Sequence, residues 1–85
     1  MDGGSNTAVG QGSLQANLDG EENVAVGRAA LGANTTADGN TAVGGQALAL
    51  TTSGAYNTAV GQNAMVANTE GSNNVAVGRL ALDAN

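Results

Sequence analysis

Asp19, Glu21, Glu22 and Asp38 are the side chains whose type and spacing come nearest to a reactive or ligand-binding group. Carboxylates crowded in adjacent loops could offer oxygens to Ca²⁺, which takes six to eight of them. The Gly-Gly-x-Gly-x-Asp pattern of calcium-loaded β-rolls is missing, so solvated loop charge is the reading the residues favour, and no metal or cofactor is expected. The chain has no His, no Cys and no Lys. That removes the usual nucleophile–base pairs, transition-metal ligands and the phosphate-binding Lys of a Walker loop, so an enzyme is not expected. Two cations, Arg28 and Arg79, stand against seven acidic residues and a net charge of −5. Phosphate recognition needs clustered Lys and Arg, so nucleic acid is not expected as a partner. Each Arg could pair with a loop carboxylate of a neighbouring subunit. Asn34-Thr35-Thr36 is a formal N-glycosylation sequon.

The elements that must hold these groups follow from a period. Asn6, Asn23, Asn40, Asn57 and Asn74 stand seventeen residues apart without insertion, and each opens the pentapeptide Asn-(Thr/Val)-Ala-Val-Gly. The five units make residues 1–85 a single repeat domain, with residues 1–5 as the tail of a preceding unit. A unit this short cannot bury an apolar face alone and must stack on its neighbours. With the Asn as position 1, positions 2 to 4 read as a short strand ended by Gly10, Gly27, Gly44, Gly61 and Gly78. Alternation assigns positions 2 and 4 to one face and position 3 to the other. Val9, Val26, Val43, Val60 and Val77 are accordingly expected in the core. Ala8, Ala25, Ala42, Ala59 and Ala76 are expected outside, as a line of methyl groups that lets another subunit approach closely.

A second apolar segment covers positions 8 to 11, where position 9 is Leu14, Leu31, Leu48, Met65 or Leu82 while position 10 varies from Gln15 to Asp83. This contrast reads as a second strand, with positions 9 and 11 facing in. Positions 12 to 17 are rich in Asn, Thr, Ser, Gly and Asp and read as a longer loop. The expected fold is all-β: a parallel solenoid, or β-roll, of five coils with two short strands each and a rise of about 4.8 Å per coil. Ladders of stacked amides are expected at position 1 (Asn6, Asn23, Asn40, Asn57, Asn74) and at position 12 (Asn17, Asn34, Asn68 and Asn85, with Thr51 as the exception). They would fix the register. With no Cys and an interior of Ala, Val and Leu, so thin a roll is expected to gain stability by self-association.

The repeated Asn-Thr-Ala-Val-Gly and Asn-Val-Ala-Val-Gly resemble the Ser-Val-Ala-Ile-Gly motif of the head repeats of trimeric autotransporter adhesins. The fuller unit, as in Gly54-Ala55-Tyr56-Asn57-Thr58-Ala59-Val60-Gly61-Gln62-Asn63-Ala64, is similar to repeat arrays of phage tail fibres and bacterial surface proteins. The resemblance covers all five units. It implies a left-handed parallel β-roll homotrimer whose shaft serves attachment, with the Val column as strand core and the Gly column as turn.

The expected function is therefore a structural, non-enzymatic fibre or adhesin segment that is extracellular, at a cell surface or on a virion. Met1 to Ser5 do not form a secretory n-region, and no apolar stretch suits a membrane span. The alternative is a filament subunit that stacks coil on coil, since both ends fall at a matching phase of the repeat. A weaker alternative is a glycan- or ice-binding solenoid. It rests on the rows of amides and on Thr35, Thr36, Thr51, Thr52 and Thr69, and against it sugar sites usually add aromatic platforms, of which Tyr56 is the lone candidate.

Overall fold

In the computed structural model, residues 5–66 and 70–81 are described; Leu82, Asn68, Thr69, Asn85 and Met1 to Gly4 lie outside them. The β-branched tripeptides form five parallel strands: β1 (Thr7–Val9), β2 (Val24–Val26), β3 (Thr41–Val43), β4 (Thr58–Val60) and β5 (Val75–Val77). They lie in sequence order in one sheet, and each residue pairs with its equivalent one unit on, as Ala25 does with Ala42. No helix occurs among the described residues. The connection from one strand to the next is a coil of turns, which makes the fold an all-β parallel solenoid.

Each strand ends where its Gly takes a φ between 118° and 132°, a conformation that residues with a Cβ rarely adopt. The segment after it is not the second strand that its pattern suggested. It is a run of three overlapping turns, closed in the first coil by Ser13 N–H to Gly10 O, Gln15 N–H to Gly12 O and Asn17 N–H to Leu14 O. Residues at positions 7 and 9 adopt left-handed backbone: Ala29, Gln46, Asn63 and Leu80 at 61° to 63°, and Leu14, Leu31, Leu48 and Met65 at 50° to 53°. A strand places successive side chains on opposite faces, yet here positions 8 and 9 both point inward. Ala30 with Leu31, Ala47 with Leu48, and Ala64 with Met65 are all fully buried. Position 11, expected inside, turns out to the surface in Ala16 and Leu50.

Backbone bonding explains how this geometry persists although a left-handed residue costs roughly 1–2 kcal/mol. The amides alternate in direction. Those of positions 8, 10 and 12 close the turns of their own coil, while those of positions 7, 9 and 11 bond to an adjacent coil. Examples are Ala29 N–H to Gln11 O at 2.8 Å, Leu14 N–H to Ala30 O at 3.0 Å and Ala16 N–H to Gly32 O at 3.2 Å. Position 7 is already Gly12 in the first coil. Because the Gln46 side chain is exposed, Gln46→Gly is expected to be neutral or to stabilise by up to about 1 kcal/mol. Ala42→Gly, in a strand with ordinary φ, is expected to destabilise. Thermal melts at fixed protein concentration compare the two.

Candidate functional site

Which side of the strand faces the interior determines what the surface offers, and the structure reverses the expected assignment. Ala25, Ala42 and Ala59 are fully buried, and Ala76 nearly so; with Ala8 packed against them they belong to the chain's own core. They are not available to line a subunit contact. Val9, Val26, Val43, Val60 and Val77 point the other way, with Val9 56% and Val77 71% exposed. The coil is too narrow for a Val at position 3. Its interior is already filled by Leu14, Leu31, Leu48 and Met65 from position 9 and by the Ala of position 8, and a methyl is what the remaining space takes. The Leu and Met of position 9 thus occupy the place that the sequence suggested.

The Asn of position 1 shares the inward face with Ala, since alternation places residues 1 and 3 together. Asn23, Asn40 and Asn57 are fully buried. Their amides do not stack on one another. Each instead clips two coils through backbone: Asn40 Oδ1 accepts the N–H of Asn57 at 2.9 Å, and Asn40 Nδ2 donates to Gly54 O at 2.8 Å. The same pair of bonds recurs from Asn6 to Asn23 and Gly20, from Asn23 to Asn40 and Ala37, and from Asn57 to Asn74 and Gly71. A true amide-to-amide step appears at position 12, where Asn34 Nδ2 donates to Asn17 Oδ1 at 2.9 Å. The sequon residue Asn34 is therefore buried and engaged, donating also to Ala37 O. Thr51, its counterpart one coil on, is buried as well, which takes it out of any exposed Thr row.

The carboxylates lie along the loop before each strand. Asp19, Glu21, Glu22, Asp38 and Glu70 are all exposed. Asp38 Oδ1 accepts the backbone N–H of Glu21 at 2.8 Å, so one of these acids tacks its loop to the coil before. Among the described residues no three carboxylates gather as a metal site. Arg28 and Arg79 lie on the other side of the strand, one residue past its terminal Gly, and are exposed. Among the described residues no pocket opens in the surface. No helix among the described residues is long and apolar enough to cross a membrane.

What remains is a face. The outward positions of β1 to β5 are Thr7, Val9, Val24, Val26, Thr41, Val43, Thr58, Val60, Val75 and Val77, held in two straight ranks by the register. Not one is charged, although the chain carries nine charged residues. Hydrophobic alternation alone points these side chains inside. The signal that would have found them is the buried Asn: an amide file shielded from water fixes the inward parity of the whole strand. No protein-family model matches the chain, nor does any curated protein or solved structure.

Proposed function

We propose that this chain is a structural, non-enzymatic segment of an extracellular or virion fibre, of the kind its repeat motif resembles. It works as a homotrimeric shaft that presents an attachment surface. The observation that carries the reading is the uncharged Thr/Val face, an apolar strip on a chain with few other large side chains. Contiguous apolar surface of this kind marks an interaction site. Two ranks of β-branched side chains at constant height suit packing around a three-fold axis, where the face of each copy meets those of its two neighbours. The subunit contact thus moves from the Ala column to the Val column. The loops stay at the rim, where exposed side chains such as Thr36 and Ser53 face outward toward a receptor or glycan.

Sedimentation equilibrium of the purified chain is expected to give the mass of three copies. Val43→Glu places a charge at the middle of the face and is expected to weaken association at least about a hundredfold, because a desolvated unpaired carboxylate costs several kcal/mol. A wild-type monomer at every concentration would sink the proposal. Long uniform fibres in electron micrographs would favour end-to-end stacking of coils instead.

A further inference from the structure

Among the described residues, the charged side chains are segregated on either side of the Thr/Val face. The acidic edge runs along the loops that enter the strands, with Glu21 and Glu22 before β2, Asp38 before β3 and Glu70 before β5. The basic edge runs along the residue after each strand-ending Gly, with Arg28 after β2 and Arg79 after β5. All of these side chains are exposed, and among the described residues neither Arg forms an ion pair within its own chain.

We infer that neighbouring copies of this chain lie parallel and unstaggered, with the Arg edge of one against the acidic edge of the next. The inference rests on the self-association reading and adds its direction and register. Rotation about an axis parallel to the solenoid brings the left edge of one copy to the right edge of its neighbour, which is acid to Arg. A two-fold axis lying across the strand face and perpendicular to the solenoid reverses the partner and brings acid to acid. The coil levels make the same selection along the axis. With no stagger, Arg28 stands at the level of Glu21 and Glu22, and Arg79 at the level of Glu70. A slip of one coil in one direction sets Arg79 against residues 52–56, the loop before β4, which contains no acid. A slip in the other direction leaves Arg28 opposite Asp38 but carries Arg79 beyond β5, so either slip loses the Arg79 pair. Charges at the rim of an interface contribute little raw affinity, but they exclude wrong registers and orientations.

The test is sedimentation equilibrium on the full chain. The reversal R28E/R79E is expected to weaken association roughly tenfold at low salt, with the difference from wild type shrinking at about 1 M salt. The milder R28Q/R79Q should fall between the two. The exchange R28E/R79E/E22R/E70R keeps the net charge at −5, since two Arg-to-Glu changes lower it by four and two Glu-to-Arg changes raise it by four. It is expected to return association to within about threefold of wild type, as rim pairs restored in the opposite sense should. Circular dichroism checks that each variant keeps the β fold. Unchanged association on reversal, or an exchange that fails to rescue in a folded chain, overturns the inference while leaving self-association standing. A wild-type monomer overturns both.

Discussion

Gly44→Ala is expected to cost about 4 kcal/mol or more, enough to unfold the central coil of so small a protein. Two effects combine at this site. The φ of +126° is a conformation that L side chains rarely adopt, and holding Ala there costs roughly 1–3 kcal/mol. A Cβ on Gly44 would also stand 2.7 Å from both C and O of Gly61 in the next coil. That neighbour is backbone, pinned by the Gly61 N–H to Val43 O bond at 2.7 Å, and it cannot rotate away. Relief requires prising two coils apart. Gly78 supplies the control. Its φ is +127°, but among the described residues the nearest atom to its added Cβ is that of Ala81 at 4.0 Å, so Gly78→Ala is expected to carry the torsional penalty alone. The two variants should differ by about 2 kcal/mol in chemical denaturation at matched concentration. Equal losses would mean that the coils can separate at the Gly column without penalty.

This contrast shows what kind of information the repeat carried. Five Gly at one position announce a backbone that no Cβ can join, and three β-branched or small residues before each announce a strand. Both are local statements, and both describe the chain. The period then forces the register, because identical units have no reason to pair out of phase. Strand existence, parallel order, the Gly column and the buried Leu or Met of position 9 were legible for that reason.

Parity was not legible from hydrophobicity. An alternating strand has two ways to face, and hydrophobicity alone points Val, the more apolar residue, inward. Interior volume decides otherwise: Leu31 and Ala30 fill the coil so far that only a methyl fits opposite them. The buried Asn23 and Asn40 carry the parity, because a side-chain amide that bonds interior backbone of the next coil has to face inward. The turn segment hid for a different reason. Left-handed backbone at Ala29, Gln46 and Leu31 has no signature in those residue types. It is imposed by hydrogen bonds from the coils above and below, a tertiary constraint that a single unit does not contain. The same holds for the charged edges, since Arg28 and Glu22 flank one face only once the coil has been closed.

The Asn file makes the strongest claim about how these coils cohere. Asn40→Ala is expected to lose about 3–5 kcal/mol, because it strands the N–H of Asn57 and the carbonyl of Gly54 in the interior, at roughly 1–3 kcal/mol for each unpaired group, and leaves a small void. Ser53→Ala, on an exposed loop, should change stability by less than about 0.5 kcal/mol. Asn40→Asp separates the two bonds. It retains an oxygen for the N–H of Asn57 but turns the donor toward Gly54 O into a second acceptor, so the buried carboxylate is opposed by a carbonyl. Its protonated form restores the donor, which raises the folded pKa above the unfolded value of about 3.9. The sign follows: relative to wild type at the same pH, Asn40→Asp should be least harmful near about pH 3 and should lose stability as pH rises through that folded pKa. Denaturation curves for both variants at about pH 3 and pH 7 test this. An Asp variant whose deficit does not grow with pH would mean that Gly54 O has another donor and that the clip is not what joins the coils.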